Sequence, residues 1–250
     1  MEQDINSPNR FNEIRSKILG KKLVNLWYRD RYQSFMDSIT SLGPTHELNV
    51  VELGAGGSFL KEYCPNVIYT DVIAYPELDE VLDATNMGLE DSSVDAFFMM
   101  NVLHHIPDPK GFFYEAQRCL KPGGQIFITD HYIGPVSYAL YRFIHKEPFQ
   151  DKAGSWSFDS EGPLSDANTA LTKLIFYDDR EDFDHFFQEL KVLELQKHST
   201  FSYWFGGGLK NWTLVPESLA SRFIQFDRYF SKVLPWSASF LDIKIEKIIS

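Results

Sequence analysis

The chain of 250 residues is long enough for one large domain, or for a core domain that carries an insert. Its 24 basic and 35 acidic residues give a formal net charge of −11, which argues against a nucleic-acid partner. Two cysteines are too few for a disulfide scaffold, and no signal peptide or apolar run of 18 residues is found, so we predict a cytoplasmic protein without stable membrane insertion.

Residues 1–45 are predicted to form an N-terminal helical segment. Apolar residues recur at intervals of three and four between Phe11 and Ile39, which indicates one or two amphipathic helices that end before Gly43-Pro44. The segment also holds the most conspicuous basic cluster of the chain, which we interpret as a solvated helix face: Lys17, Lys21, Lys22, Arg29 and Arg31.

Residues 46–131 show short apolar strands that alternate with helices. Strands are predicted at 48–53, 67–70, 80–82, 94–100 and 125–129, and helices at 58–63 and 109–120. Uniformly apolar strands that alternate with helices predict a parallel sheet with helices on both of its faces.

Residues 132–250 lose this regular alternation and are predicted to be a substrate-specificity region. Helices are predicted at 138–144, 182–190 and 217–233, and strands at 192–195 and 240–248. The whole pattern predicts an α/β fold with a Rossmann-like, seven-stranded, mostly parallel sheet. We expect an antiparallel C-terminal edge, N-terminal helices and a C-terminal aromatic cap.

Glycines follow the first predicted strand, in the run Glu52-Leu53-Gly54-Ala55-Gly56-Gly57-Ser58. Glycines allow the chain to turn sharply and to approach a ligand closely, and the first turn of a following helix would offer free N–H groups. A dinucleotide fingerprint would need Gly or Ala at position 59, where Phe59 stands, and the Gly-Lys-Ser/Thr ending of a Walker A motif is absent. A pyrophosphate ligand is therefore disfavoured.

Two carboxylates end the next two predicted strands. Asp71 lies 17 residues beyond Gly54, where a carboxylate can accept hydrogen bonds from the hydroxyls of a ribose. Asp83 ends the third strand, where it or the following N–H can meet an adenine edge. Three such features at three successive strand ends indicate one crevice.

Further motifs follow in order: Asp83-Ala84-Thr85, residues 89–95, Asn101-Val102-Leu103-His104-His105-Ile106, Asp108-Pro109, Glu115, Arg118, Leu120 and Lys121-Pro122-Gly123-Gly124. This ordered set, about 80 residues long, resembles the class I, Rossmann-like S-adenosylmethionine-dependent methyltransferases. It is similar to the subgroup that contains quinone, sterol and small-molecule methyltransferases.

The resemblance implies S-adenosyl-L-methionine as the cofactor and assigns the cofactor contacts to Glu52, Gly54, Ala55, Gly56, Asp71, Val72, Asp83, Ala84, Asn101 and Val102. In this pattern Glu52, Gly54 and Gly56 hold the methionine and ribose portions. Asp71 holds the ribose hydroxyls, Asp83 with Ala84 faces adenine, and Asn101 touches the methionine end. Ser58 departs from the pattern, because many relatives carry a third glycine there.

Three histidines are candidates for a general base. His104 and His105 follow the fourth strand, and His131 follows the fifth, so all three are expected at the same sheet edge. The alternative is that the His104-His105 pair only shapes its loop. No metal site is predicted, because the adjacent histidines lack helical spacing and two isolated cysteines make no zinc motif.

The acceptor region mixes aromatic and hydrogen-bonding side chains: Trp156, Phe158, Asp166, Asn168, Tyr203 and Trp204. Such a mixture suits a saccharide and suits an ordinary aromatic core almost as well, and we put the core interpretation first. We predict methyl transfer to a small polar metabolite, with a saccharide oxygen favoured. The alternatives are carbon methylation of a quinone-like or lipid acceptor, and a non-catalytic protein that binds a partner or senses the cofactor.

Overall fold

A computed structural model describes residue 7 and residues 9–143, 148–151, 154–162 and 166–249. Its centre is a seven-stranded sheet formed by β1 (Val50–Leu53), β2 (Ile68–Asp71), β3 (Glu80–Val81), β4 (Val94–Met100), β5 (Leu120–His131), β6 (Leu190–His198) and β7 (Phe240–Lys247). The strands lie in the order β3-β2-β1-β4-β5-β7-β6.

The first five strands of that order are parallel, and β7 and β6 are antiparallel to their neighbours. Val51 pairs with Ile68 on one side and with Phe97 on the other, in parallel register. Ile128 of β5 pairs with Ile243 of β7 in antiparallel register. This arrangement confirms the predicted mostly parallel sheet with an antiparallel C-terminal edge.

The helices cover both faces of this sheet. They are α1 (Arg10–Leu19), α2 (Lys22–Ile39), α3 (Pro109–Cys119), α4 (Pro135–Phe143), α5 (Leu171–Lys173, continued by a π-helical turn, Leu174–Asp178), α6 (Arg180–Phe186), α7 (Ser202–Phe205) and α8 (Glu217–Val233). Successive strand residues point to opposite faces, so Phe97 packs in the core with α3 and α6, whereas Phe98 packs in the core with α1, α2 and α8.

The helix predicted at 58–63 is wrong, because this stretch forms only a 3₁₀ turn, Leu60–Glu62. Ser58 does accept the N–H of Leu60 at 3.0 Å, as a helix cap would. Pro65 follows too soon for a stable α-helix to form, since a single turn fixes several residues for few hydrogen bonds.

Several predicted boundaries differ from the observed ones. Strand β5 begins at Leu120 rather than 125, because Leu120 already pairs with Val94 before the Gly123-Gly124 irregularity. Strand β6 is longer than the predicted 192–195 because it pairs with β7 along most of its length. Helix α6 ends at Phe186 rather than 190, because the chain has to leave the helix before β6 begins at Leu190.

Two more of the helices predicted in the C-terminal region are present, and two further short helices were not predicted. Helix α8 has the predicted bounds, and α4 corresponds to the predicted helix at 138–144, of which residue 144 lies outside the described residues. The sequence patterns did not indicate α5 or α7, because both are too short to show a clear helical period. The division of the chain at residues 45 and 131 stays a prediction.

The basic cluster of the N-terminal segment is not a uniformly solvated face. Arg31 is buried and forms an ion pair with the carboxylate of Asp242 on β7. Lys21 donates hydrogen bonds to the carbonyl oxygens of Gly208 and Lys210. These two cations therefore take part in tertiary contacts.

No helix in the described part of the chain combines the length and the apolar character that crossing a bilayer requires.

Candidate functional site

A cavity of about 600 Å³ opens at the carboxyl ends of the parallel strands. This is where ligands bind in open α/β sheets, because the loops that leave the strands diverge there. All thirteen residues predicted for cofactor binding and catalysis line this cavity: Glu52, Gly54, Ala55, Gly56, Asp71, Val72, Asp83, Ala84, Asn101, Val102, His104, His105 and His131. The structure therefore brings together residues that the sequence placed at separate strand ends.

The loop after β1 requires glycine at two positions. Gly54 and Gly56 have φ angles of +67° and +53°, a backbone conformation that other residues rarely adopt. A Cβ atom on Gly54 would lie 2.6 Å from a methyl group of Val102. The loop can therefore pass close to the chain that follows β4, and both segments line the cavity.

Glu52 is a buried carboxyl at the base of this loop. Only 3% of the residue is exposed, and the Ser58 hydroxyl donates a hydrogen bond of 2.8 Å to its Oε2 atom. Burial raises the pKa of Glu52 to about 8, and the nearby charge of Asp71 adds to this shift while the Ser58 hydrogen bond opposes it. The group is therefore mostly protonated at neutral pH unless a cation approaches it.

Asp71 and Asp83 differ in their surroundings. Asp71 is buried and accepts N–H groups from Gly56 at 3.2 Å and from Ile73 at 3.1 Å. Burial raises the pKa of Asp71, although these backbone hydrogen bonds oppose the shift. Asp83 is exposed at the cavity rim and accepts the N–H and the hydroxyl of Thr85 at 2.8 and 2.7 Å.

Asn101 combines two unusual features. Its φ angle is +56°, and its N–H donates to the carbonyl of Thr129 at 2.8 Å, which fixes the turn after β4. Its side-chain Oδ1 atom is buried without a hydrogen-bond partner among the described residues. A buried acceptor without a donor costs about 1–3 kcal/mol. The cavity thus contains an acceptor suited to an N–H donor on a ligand, such as the amino group of the methionine portion of the cofactor.

His104 is held by a buried carboxylate. Its Nδ1–H donates to Oδ1 of Asp130 at 2.7 Å, and Oδ2 accepts the His104 backbone N–H at 3.2 Å. Burial opposes ionisation of Asp130, but His104 and His131 lower the pKa of Asp130 to about 2. Asp130 is therefore an acceptor only, so Nδ1 of His104 carries the proton of this hydrogen bond.

The other two histidines pack against this ring at tilted angles. The ring centroids of His105 and His131 lie 4.1 and 4.3 Å from that of His104. Nδ1 of His105 also lies 3.2 Å from the carbonyl oxygen of Asp166. Of the three rings, His104 is the one that the carboxylate orients most directly.

Asp130 is a functional candidate that our sequence reasoning missed. The available signal was its place at the carboxyl end of β5, where Asp71 and Asp83 had already been singled out on other strands. Ligand atoms of His104, Asp130 and His131 lie within 4.8 Å of one another, so these side chains could also hold a metal ion. A hydrogen bond of 2.7 Å joins His104 and Asp130 directly, which is the geometry of a carboxylate that orients an imidazole ring.

The N-terminal helices also contribute to the cavity wall. Tyr28 and Tyr32 of α2 line it, as do residues of α1. A Cβ atom on Gly57 would lie 2.5 Å from the backbone nitrogen of Arg15, so α1 packs directly on the glycine loop. The helical periodicity predicted these helices without indicating that they cover the site.

Most of the aromatic and polar residues proposed to contact the acceptor lie outside the cavity. Of the six residues that suggested a polyhydroxyl ligand, Tyr203 is the one that lines the cavity. Trp156 is buried in the core around α6, and its indole N–H donates to Asp179 at 2.8 Å. The aromatic mixture therefore serves mainly as packing.

Comparisons with known proteins found relatives in sequence and in fold. The sequence profile of a family described as a methyltransferase domain matches residues 52–128. A ubiquinone biosynthesis O-methyltransferase of Xanthomonas oryzae pv. oryzae is 31% identical over a match that covers 36% of this chain and 46% of that protein. The chain thus spans less than half the length of the curated relatives it matches.

Two solved structures are similar over most of the chain. One is a chain of the complex between the Haloferax volcanii Trm112 methyltransferase activator and a candidate methyltransferase, with a TM-score of 0.51 and 18% identity over 95% of this chain and 98% of that chain. The other is a candidate sarcosine dimethylglycine methyltransferase from Galdieria sulphuraria, with a TM-score of 0.49 and 15% identity over 87% and 84%. At these identities the likeness concerns the fold.

Proposed function

We propose, from the premise that residues 52–128 are a class I, S-adenosylmethionine-dependent methyltransferase domain, that this chain transfers the methyl group to a hydroxyl oxygen of a small polar molecule. The observation that carries the proposal is one cavity lined both by the glycine turn after β1 and by His104, whose ring is hydrogen-bonded to the buried Asp130. A cofactor at the turn and an acceptor at the histidine would then share one space.

The residues of the cavity fit the cofactor by their chemistry. Asp71 would accept hydrogen bonds from the ribose hydroxyls, since its carboxylate faces the cavity beside the glycine turn. Asp83 and Ala84 would border adenine, with Val72 and Val102 as apolar walls. The side-chain oxygens of Glu52 and Asn101 would accept hydrogen bonds from the amino group of the methionine portion of the cofactor. The buried carboxyl of Glu52 and the unpartnered Oδ1 atom of Asn101 support these two assignments.

The bound cofactor supplies a methyl group that its sulfonium charge already activates. His104 would take the proton of the acceptor hydroxyl on Nε2 while Asp130 keeps the ring oriented and stabilises the imidazolium that forms. A positioned general base of this kind contributes about 10²–10⁴-fold to a rate. His105 and His131 would hold the ring in place through their tilted ring contacts.

A saccharide hydroxyl is the acceptor we propose first. An alcohol needs a base more than a phenol does, and the oriented His104 supports that class. A phenolic hydroxyl of a quinone precursor is the second candidate, and the similarity to a ubiquinone biosynthesis O-methyltransferase favours it. Carbon methylation and a non-catalytic binding role have no observation of their own in their favour.

Calorimetric titration with S-adenosylhomocysteine tests the cofactor half of the proposal. We expect saturable binding to the wild-type protein and at least a tenfold loss in Asp71→Ala, because a ribose contact worth about 1.5–3 kcal/mol disappears. Glu90→Gln, an exposed acid outside the cavity, is the matched control and should bind normally. No binding to the wild type at millimolar ligand would contradict the proposal.

Transfer of a labelled methyl group to a panel of saccharides and phenols tests the acceptor half. Turnover of a saccharide with loss of turnover in His104→Gln supports the first candidate. Turnover of phenols alone supports the second. Methyl groups recovered on carbon would refute oxygen transfer.

A further inference from the structure

Helix α8 turns an apolar side to solvent. Leu219, Phe226, Tyr229 and Val233 follow one another at intervals of seven, three and four, so they fall on one side of the helix. All four are exposed, Tyr229 to 69%. The opposite side of α8 packs against α2. Surface helices normally present charged residues to water, so this side of α8 is suited to a partner.

Five phenylalanine side chains form a closed circle that extends this side onto α7. The centroids of neighbouring aromatic rings in this circle lie 5.3–6.2 Å apart, and its members are Phe201, Phe205, Phe223, Phe226 and Phe230. Leu214, 67% exposed, lies beside it because its N–H donates to the carbonyl of Phe205 at 2.7 Å. We call the exposed residues Phe205, Leu214, Leu219, Phe226, Tyr229 and Val233 the α8 face. Contiguous exposed apolar surface of this kind marks an interaction site.

The charged side chains of residues 210–233, the segment that carries most of the α8 face, sum to the opposite sign from the chain as a whole. Two charges of the segment 210–233 are neutralised or buried, because Arg228 pairs with Asp30 and Asp227 accepts backbone N–H groups inside the protein. The others are the cations Lys210, Arg222 and Lys232 and the carboxylate of Glu217, a local charge of +2 in a chain whose net charge is −11.

We propose that the α8 face docks onto the surface of a lipid bilayer that contains anionic lipids. Aromatic and aliphatic side chains bordered by Lys and Arg are the composition of helices that lie in the membrane interface. A second copy of the chain fits less well, since a two-fold contact would bring each α8 face, with its cations, against the same surface of its partner.

Docking on this face would place the cavity close to the membrane. Tyr203 lines the cavity and lies two residues from Phe205 on the same short helix, α7. An acceptor that resides in the membrane would then have a short path to the site. The docking itself depends on neither the cofactor nor the methyl acceptor, so it can be tested separately from the proposed activity.

Vesicle flotation of the full chain tests the proposal. We expect the wild type to float with phosphatidylcholine vesicles that contain phosphatidylglycerol, and to float much less with phosphatidylcholine alone or at high salt. The double variant Phe226→Ser, Tyr229→Ser should lose binding by a factor on the order of 100, because two aromatic rings no longer enter the interface. Arg222→Glu with Lys232→Glu should abolish the preference for anionic lipid.

Tyr114→Ser is the matched control, since Tyr114 is an exposed aromatic residue on α3, across the sheet from α8. It should float like the wild type, and thermal unfolding should show that every variant is folded. The proposal is overturned if the wild type stays unbound, or if the double variant floats unchanged. It is also overturned if light scattering shows a dimer that the double variant dissociates while vesicles bind neither protein.

Discussion

The hydroxyl of Ser58 donates a hydrogen bond of 2.8 Å to the buried carboxyl of Glu52, and so joins the two ends of the loop after β1. The same oxygen lies 3.0 Å from the hydroxyl of Tyr32, which therefore links helix α2 to the loop. Serine at this position performs a task that glycine cannot, because glycine has no hydroxyl to hold the carboxyl.

Replacing Ser58 by glycine should weaken cofactor binding without changing the chemical step. We expect Ser58→Gly to lower the affinity for S-adenosylhomocysteine about tenfold, since a buried carboxyl loses its donor, and to leave kcat near the wild-type value. Tyr32→Phe should give a smaller loss in the same direction. Calorimetry and steady-state kinetics measure the two effects. A normal affinity in Ser58→Gly would show that the hydroxyl does not hold Glu52 in the binding conformation.

The raised pKa of Glu52 predicts a pH dependence of cofactor affinity. In the proposed binding mode the amino group of the cofactor pairs with the ionised carboxyl, and in the free protein the pKa of Glu52 is about 8. Affinity for S-adenosylhomocysteine should therefore rise by up to about tenfold per pH unit below 8 and level off above it. Glu52→Gln should bind weakly with a flat profile. A flat profile in the wild type would contradict this role of Glu52.

The same group should lower protein stability as pH rises. The pKa of Glu52 is higher in the folded state than the ordinary value of 4.5, so the folded state holds a proton that the unfolded state releases. The free energy of unfolding should therefore fall from about pH 4.5 to about pH 8. Urea unfolding at several pH values should show a shallower fall in Glu52→Gln. Parallel curves for the two proteins would argue against a raised pKa.

The His104–Asp130 pair predicts a loss of rate with little loss of cofactor binding. His104→Gln and Asp130→Asn should each lower kcat by about 10²–10⁴-fold, because one removes the base and the other its orientation. His105→Gln and His131→Gln serve as controls and should affect the rate less.

A metal chelator distinguishes the base from a metal site at the same side chains. A base requires no ion, so the wild-type rate should be unchanged after chelation. Loss of activity that returns with added divalent metal would instead assign His104, Asp130 and His131 to an ion.

The buried ion pair between Arg31 and Asp242 predicts acid sensitivity. Burial opposes ionisation of Asp242, but Arg31 and His198 lower the pKa of Asp242 to about 2. The stabilisation that this ion pair gives the folded state is complete above the ordinary carboxyl pKa of 3.8. It should be lost as the pH falls toward 2, which lowers the free energy of unfolding by about 2 kcal/mol. Asp242→Asn should destabilise the protein at neutral pH by about 3–5 kcal/mol, because it leaves a buried guanidinium unpaired. Equal unfolding midpoints at neutral pH would refute this.

The order of strands and helices between β1 and β5 was predictable from local sequence patterns. Each buried strand is a short apolar run, and each run ends at a glycine, a carboxylate or Asn101. The helix predicted after Ser58 failed because two local signals conflict. Ser58 favours the start of a helix, but Pro65 limits it to a 3₁₀ turn. The length of β6 could not be read from its sequence, because pairing with β7 sets it.

By itself, the sequence determined which residues meet at the carboxyl edge of the parallel strands. Strands that run parallel bring their carboxyl ends to one edge, so residues placed by the strand pattern become neighbours whatever packs around them. The tertiary structure alone decided the contacts between distant segments. It placed Asp130 against His104, 26 residues away, and buried Arg31 against Asp242, 211 residues away. Local periodicity records which face of an element is apolar, and it carries no information about which polar group on a remote element that face will meet.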